Sequence, residues 1–217
     1  MKIVNFDNQK SLISQYVMEL RDVNIQNDRL RFRTNLKRLG QIMAYEISKD
    51  LSYKKVGTVT PLGTAECNII SEPLVLGTIF RAGIPFHHGF LDYFDYAENA
   101  FVSAYRKYRE KESFDIFIEY IASPVLDGKT LILVDPMLAT GASMELSYKA
   151  LLTKGIPAKT HIVSAIASQQ AVDYIREHFP DDNTTLWVGA IDPEINGHSY
   201  IVPGLGDAGD LAYGEKD

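Results

Sequence analysis

Leu131-Ile132-Leu133-Val134-Asp135-Pro136-Met137-Leu138-Ala139-Thr140-Gly141-Ala142-Ser143 is the stretch on which the fold turns. Its first four residues are an unbroken apolar run, as in a strand buried on both faces. Asp135 stands where that strand ends. Residues 139–143 then carry little side-chain bulk, so their backbone N–H groups can approach an anion closely. A helix opening near Gly141 would add unpaired N–H groups and the positive end of its dipole. The combination suits a phosphate carried on a sugar, with Asp135 placed to accept hydrogen bonds from hydroxyls. The Gly-Lys-Ser/Thr ending of a Walker A loop is absent, and so is Gly-x-Gly-x-x-Gly. An ordinary strand–turn–helix corner would also account for Thr140-Gly141-Ala142-Ser143 taken alone.

Outward from this stretch, strands alternate with helices. A short helix fits 12–22. Over 28–51, Leu30, Leu36, Leu39, Met43 and Ile47 recur at helical spacing, with Asn27 or Asp28 as N-cap. Segments 53–60 and 64–70 read as strands of a hairpin around Pro61-Leu62-Gly63. Leu74–Phe80 reads as a buried strand, 85–94 as a helix, and 100–104 as a strand. Residues 114–122 alternate only in part and read as an arm rather than core. After the turn at Asp127-Gly128-Lys129 come a strand at 130–134, a helix at 143–153 ending at Gly155, and a strand at 160–167. A helix at 169–178 and a strand at 185–190 complete the pattern. This order predicts an α/β fold, a mostly parallel twisted sheet flanked by helices on both faces. Ligands on such sheets bind at the carboxyl ends of the strands. Arg81-Ala82-Gly83, Tyr105-Arg106 and Asp135 would all stand at such ends. Residues 191–217 carry Pro, Gly and Asp without periodicity and are expected to form a hood over the site.

The 217 residues fit a single domain, 1–217, with a proper core; no repeat, low-complexity tract or linker interrupts them. Hydrophobic residues make up 46% and charged residues 23%, the proportions of a globular enzyme. A net charge of −6 argues against nucleic acid as a partner, because binding it needs clustered positive charge. The single cysteine, Cys67, reads as a small apolar filler rather than a reactive thiol. The first residues, Met1-Lys2-Ile3-Val4-Asn5-Phe6-Asp7, lack the apolar region of a signal peptide, and no apolar run has membrane-spanning length. The expected location is the cytoplasm, with no membrane contact.

Four motifs carry a resemblance that spans nearly the whole chain. Residues 131–143 resemble the phosphoribosyl-diphosphate (PRPP) loop of type I phosphoribosyltransferases, and Pro136, where most of that class has a second acid, is similar to the uracil phosphoribosyltransferase family. Tyr200-Ile201-Val202-Pro203-Gly204-Leu205-Gly206-Asp207-Ala208-Gly209-Asp210 resembles that family's uracil-binding segment. Arg81-Ala82-Gly83 and Tyr105-Arg106 resemble two further motifs, and Arg21-Asp22 before a long amphipathic helix resembles its N-terminal region. All occur in the family's order.

The resemblance implies formation of UMP and diphosphate from uracil and PRPP, in pyrimidine salvage. It implies that Asp135, Pro136, Met137, Leu138, Ala139, Thr140, Gly141, Ala142 and Ser143 hold the ribose and 5′-phosphate. Arg81 and Arg106 would hold the diphosphate, since arginine is shaped for multidentate phosphate binding. Ile201, Gly206, Asp207 and Ala208 would hold uracil, with Asp207 also reaching the PRPP–Mg²⁺ side and Asp210 bracing the loop. Asp135, Asp207 and Arg106 would be the catalytic residues. Mg²⁺ would be bound mainly through PRPP, with Asp207 as one further carboxylate. A homodimer or larger homo-oligomer is implied, as is a flap over 106–122. For either arginine standing alone, a surface ion pair is the ordinary alternative.

Several positions depart from the family pattern. Ala142 stands where a second glycine is usual, which is tolerable unless its φ is positive. Ile84-Pro85-Phe86-His87-His88-Gly89 replaces a run often filled with Met and acid. His87 and His88 are adjacent and share no helix face, and zinc needs three or four convergent ligands. The 106–112 segment is charge-rich and lacks an expected threonine. Two other readings remain open: a regulatory RNA-binding protein that senses PRPP or uridine nucleotides on this fold, and a phosphoribosyltransferase for another base.

Overall fold

The structure, a computed structural model, describes residues 1–108 and 114–215, with the side chains of 104–117 outside the description. In chain order it opens with β1 (Lys2–Asn5), α1 (Leu12–Arg21) and α2 (Arg29–Ser48). A hairpin of β2 (Tyr53–Thr60) and β3 (Gly63–Ile70) follows, then β4 (Leu74–Phe80), α3 (Gly83–Leu91), β5 (Glu98–Tyr108) and β6 (Phe114–Ala122). Next come β7 (Thr130–Val134), β8 (Met137–Leu138), α4 (Ala142–Leu152), β9 (Lys159–Ser168), α5 (Gln169–His178) and β10 (Thr184–Asp192). The chain closes with β11 (Glu194–Ile195), β12 (Ile201–Val202) and α6 (Ala208–Tyr213).

The main sheet runs β1-β10-β9-β7-β4-β5-β6, with β8 added beside β9. Every pairing in it is parallel except β5 with β6. All five residues of β7 are buried, as its unbroken apolar run requires of a central strand covered on both faces. Side chains alternate between two cores. Ile132, Val134, Val163 and Trp187 pack under α1, α2, α3 and α6, while Leu131, Leu133, Ile162 and Val188 pack under α4 and α5.

Local chemistry explains most element boundaries. Asp28 caps α2, its carboxylate accepting from the Arg31 N–H at 3.0 Å. Along α2 the buried stripe is Phe32, Leu36, Leu39, Met43 and Ile47, at the 3.6-residue period. Leu30, grouped with them by spacing, is exposed, and Phe32 faces the core in its place. Ser168 caps α5 by accepting from the Ala171 N–H.

Five features differ from the expectation. β1 adds a parallel edge strand beside β10. β5 continues to Tyr108, so Tyr105 and Arg106 lie inside a strand rather than after one. Residues 114–122 are the antiparallel edge strand β6, not a detached arm, and Ile118 and Ile121 pack against the core. The hood contains the short pair β11–β12 and the helix α6. Cys67 is exposed on β3, because the β2–β3 hairpin forms its own two-stranded sheet and packs little of its length on the core. The flap expected over 106–122 therefore begins and ends in β5 and β6, and residues 109–113 lie outside the described residues. Among the described residues no helix is long and apolar enough to cross a membrane.

Candidate active site

β4 and β7 are neighbours, with Thr78 opposite Val134. Asp135 follows β7 and Arg81 follows β4, so the parallel sheet brings both to one carboxyl edge. Asp135 is held by its own backbone: its N–H donates to Val163 O at 3.1 Å, and its Oδ1 accepts from the Met137 N–H at 3.3 Å. β8 then ties Met137 and Leu138 to Ile166 and Ala167, with Pro136 O accepting from the Ile166 N–H.

The small-residue loop is braced from beneath. Ser168 Oγ donates to Ala139 O at 2.6 Å, and Thr140 Oγ1 accepts from the Ala142 N–H at 3.4 Å. Gly141, the N-cap of α4, has φ 85° and supplies no side chain to the helix. Its Cα faces Tyr174, whose ring lies 2.6 Å from where a Cβ would stand. Only glycine meets both demands. Ala142 is not among the positive-φ residues, so its methyl sits in ordinary helical backbone. The loop thus presents the N-terminus of an eleven-residue helix, a feature that favours an anion.

One carboxylate stands close to this helix start. Glu145 accepts from Tyr174 Oη at 2.6 Å and pairs with Lys149 at 2.6 Å. Burial raises its carboxyl, and the bonds from Lys149 and Tyr174 outweigh that and hold it below the usual range. The bond to Glu145, then burial, pushes the Tyr174 hydroxyl up to about 12. Glu145 is thus matched by partners of its own rather than by the loop.

The hood reaches the sheet through Arg81. Arg81 Nη2 pairs with Asp210 Oδ1 at 2.7 Å, and Nη1 donates to Gly214 O at 3.2 Å. Asp207 caps α6: its Oδ1 accepts from the Gly209 N–H at 2.8 Å and the Asp210 N–H at 3.0 Å. Ile201 and Ala208 are buried in the core beneath the hood, while Gly206 sits at φ 90° between them in the chain. Asp210 braces the loop as expected, and Asp207 also has a structural task that sequence reading did not assign to it.

Arg106 lies in the β5–β6 hairpin, three residues past Ser103, the partner of Phe80. Its side chain lies outside the description. His87 is buried against Phe101, ring centroids 5.6 Å apart, and burial, then His88, pushes it down to about 4. His88 is exposed, and among the described residues no three His, Cys, Asp or Glu side chains converge on a common point.

Sequence reading missed the residues that hold the hood to the body. Arg21 and Asp192 form a fork that also binds Gly204, and Gln26 reaches Leu205. The available signal was partial: Asp192 is an acid two residues past the strand expected at 185–190, while nothing local marks Arg21 as its partner.

A mostly parallel sheet with an anion-accepting strand–loop–helix corner and a C-terminal hood defines a type I phosphoribosyltransferase. A hypoxanthine phosphoribosyltransferase from Staphylococcus aureus shares the fold, with a TM-score of 0.51 at 14% identity over 87% of this chain and 84% of that one. A protein of known structure from Aquifex aeolicus is closer, with a TM-score of 0.85 and 32% identity over 98% of both chains. The family profile described as uracil phosphoribosyltransferase matches residues 8–215. A uracil phosphoribosyltransferase from Porphyromonas gingivalis is 65% identical over 216 residues, covering both chains completely. One from Pyrococcus furiosus is 38% identical, covering 94% of this chain and 86% of its own. The chain belongs to the uracil phosphoribosyltransferase family.

Proposed function

We propose that this protein joins uracil to the ribose of PRPP, giving UMP and diphosphate. The observation that carries the proposal is the Arg81 contact, which ties the end of β4 to the hood through Asp210 and Gly214. It sets a cationic group between the anion-accepting corner on β7–α4 and the backbone-rich loop that would read a base.

In this reading the N–H groups of 139–143 and the start of α4 bind the 5′-phosphate. Asp135 accepts from the ribose hydroxyls. Arg81, with Arg106 from the β5–β6 hairpin, binds the diphosphate. Uracil would be read by backbone donors and acceptors of Ile201 and 206–208, the Ile201 and Ala208 side chains being buried in the core. Its N1 attacks ribose C1 while the C1–O bond to diphosphate breaks, through a transition state with oxocarbenium character, and the N1–H proton passes to solvent or to the departing diphosphate. No covalent nucleophile is required; rate comes from positioning and from stabilising charge on the departing group. Carboxylate oxygen is the donor a hard divalent cation prefers, and Asp210 is already paired with Arg81, so Asp207 is the protein group that would meet Mg²⁺ held chiefly through PRPP. When bound there, Mg²⁺ neutralises charge on the leaving diphosphate.

We also propose a homodimer or larger homo-oligomer in the cytoplasm, where phosphorylated substrates are kept. Support comes from the β2–β3 hairpin, which exposes Val59, Leu62 and Ile69 in the single chain. Sedimentation analysis tests this. Incubation with PRPP, Mg²⁺ and each free base tests the reaction. UMP should form from uracil, with cytosine used at least about 100-fold less well, since it would leave buried polar groups unpaired. Comparable turnover of both bases would refute the assignment of the hood.

A further inference from the structure

The loop that would read the base is held from the far end of the chain. Arg21, the last residue of α1, forks onto Asp192, the last residue of β10, with both N–O distances 2.8 Å. The same Nη1 donates to Gly204 O at 3.0 Å, and Asp192 Oδ2 accepts from the Gly204 N–H at 3.1 Å. Both backbone groups of one residue are thus fixed by one ion pair. Gln26 Nε2 adds a contact to Leu205 O at 3.3 Å while bonded to Leu20 O and Arg21 O. Asp192 is only 5% exposed. Gly204 has φ 59°, and a Cβ there would fall on Ile201 O, so no other residue could make this turn.

We propose that Arg21 and Asp192 are positioning residues that set the register of the 201–208 loop, and through it the affinity for the base and the choice between bases. The proposal rests on the reading of that loop as the uracil site. Backbone recognition has no side chain to readjust, so its selectivity depends on the loop being held within a fraction of an ångström. Guanidinium and carboxylate forks supply that kind of fixed, planar geometry, which a lysine cannot reproduce. The committed groups, Gly204 N–H, Gly204 C=O and Leu205 C=O, lie immediately before Gly206–Ala208, so the fork fixes the approach to the reading groups without using them. The side chains that brace the phosphate corner, Ser168 and Tyr174, form no part of the fork. Although Ser168 lies opposite Asp192 in the β9–β10 register, its hydroxyl is committed to Ala139 O, so the fork should act chiefly on the base.

A second ion pair on α1 serves as the control. Glu19 is 6% exposed and bonded to Arg31 and Asn35 of α2, and neither of these bonds reaches the hood. The test compares Arg21→Lys, Asp192→Asn and Glu19→Gln with the parent by two readouts. The first is steady-state kinetics with uracil, cytosine and PRPP varied in turn. The second is hydrogen exchange of the 204–208 amides in the ligand-free protein. Arg21→Lys and Asp192→Asn should each raise the uracil KM about tenfold or more and narrow the uracil-to-cytosine ratio. The PRPP KM should stay within about twofold, and the Gly204 amide should exchange at least about tenfold faster. Glu19→Gln should change none of these. Unaltered exchange in both fork variants, or uracil and PRPP KM values rising together, would overturn the proposal. If the parent makes no UMP, the uracil reading fails, and the exchange measurement alone decides whether the fork holds the loop.

Discussion

The two edges of the main sheet treat charge differently. At the amino edge Glu72 accepts from the Thr130 hydroxyl and the Ser52 N–H and pairs with Lys159, while Asp50 pairs with Lys2. Those partners come from strand starts and from the end of α2, and all are permanent parts of the fold. At the carboxyl edge the Arg21–Asp192 fork is also structural, but Arg81, just past β4, meets Asp210 with 37% and 31% of their side chains exposed. An incoming diphosphate could replace that partner; nothing comparable could replace Thr130 as a partner of Glu72. The amino edge uses charge to finish the fold, whereas the Arg81–Asp210 pair at the carboxyl edge is the one proposed to open to a substrate.

If that contrast holds, the largest effect on catalysis belongs to the carboxyl edge and should leave stability nearly untouched. Asp135→Asn and Arg81→Ala should each lower kcat/KM for PRPP by two to three orders of magnitude, about 3–4 kcal/mol of transition-state stabilisation. The melting temperature should move little, because a half-exposed ion pair contributes about 1 kcal/mol or less. Asp207 needs two variants, since it also caps α6. Asp207→Asn keeps a capping acceptor, so its loss of UMP synthesis reports on substrate, whereas Asp207→Ala adds a cap penalty of about 1 kcal/mol. Normal PRPP dependence in the Asp135 and Arg81 variants would erase the contrast.

The amino edge should answer in the opposite way. Glu72→Ala strands the Thr130 hydroxyl, only 1% exposed, and leaves Lys159 with Asp50 O in place of its carboxylate partner. The expected loss is about 2–3 kcal/mol, a fall of roughly 5–10 °C in Tm for a domain of this size. Both KM values should stay within about twofold of the parent. A kinetic defect at unchanged Tm would show that the edges are not separate.

Acid should weaken the same edge. His161 is fully buried, and its Nδ1 accepts from Trp187 Nε1 at 3.0 Å, a bond that protonation of Nδ1 would break. Burial pushes its pKa down to about 4; the charges around it, Asp50, Lys159, Glu72 and Lys2, act in opposing directions. In the unfolded chain it titrates near 6.5. Between those values the unfolded chain binds more protons, so the contribution is fully present above about pH 6.5 and is lost as pH falls toward 4. At pH 5 the loss should be about 2 kcal/mol. Urea titrations at pH 7 and pH 5 on the parent and His161→Gln check this. The pH-dependent loss should shrink in the variant, and His87, also held at about 4, accounts for what remains. An equal pH dependence in the two proteins would sink the idea.

The same contrast marks what could be read without coordinates. β4 and β7 were legible to the residue because buried parallel strands are unbroken apolar runs. The caps at Asp28 and the turn at Gly141 were legible because their chemistry is local. β1 and α6 were not, being four and six residues long, too short for a period to emerge. Cys67 was misread because the β2–β3 hairpin alternates like a half-buried sheet, and only tertiary packing shows that its faces lie open. The Arg21–Asp192 fork joins positions 171 apart, a separation that leaves no local trace. Long-range polar contacts of this kind complete the loop proposed to read the base, whereas the N–H groups proposed to meet the phosphate come from one run, 139–143, even though Ser168 braces that run from β9.

The smallest expected effect sharpens that last distinction within the corner itself. Gly141 and Ala142 are adjacent, yet their demands differ. Gly141 is left-handed at φ 85° and faces the Tyr174 ring, so Gly141→Ala imposes both backbone strain and a clash. Ala142 begins α4 in helical backbone, so Ala142→Gly removes only a methyl and adds backbone freedom to the unfolded chain. The first variant should lose about 1–3 kcal/mol and weaken PRPP use, because its strain displaces the N–H groups that would meet the phosphate. The second should lose about 1 kcal/mol or less and keep its PRPP KM within about twofold. Melting curves and PRPP titrations on the two variants decide the matter. If Ala142→Gly instead improved PRPP use several-fold, the methyl would be an obstruction, and the departure from the family's second glycine would have a functional consequence that the backbone geometry argues against.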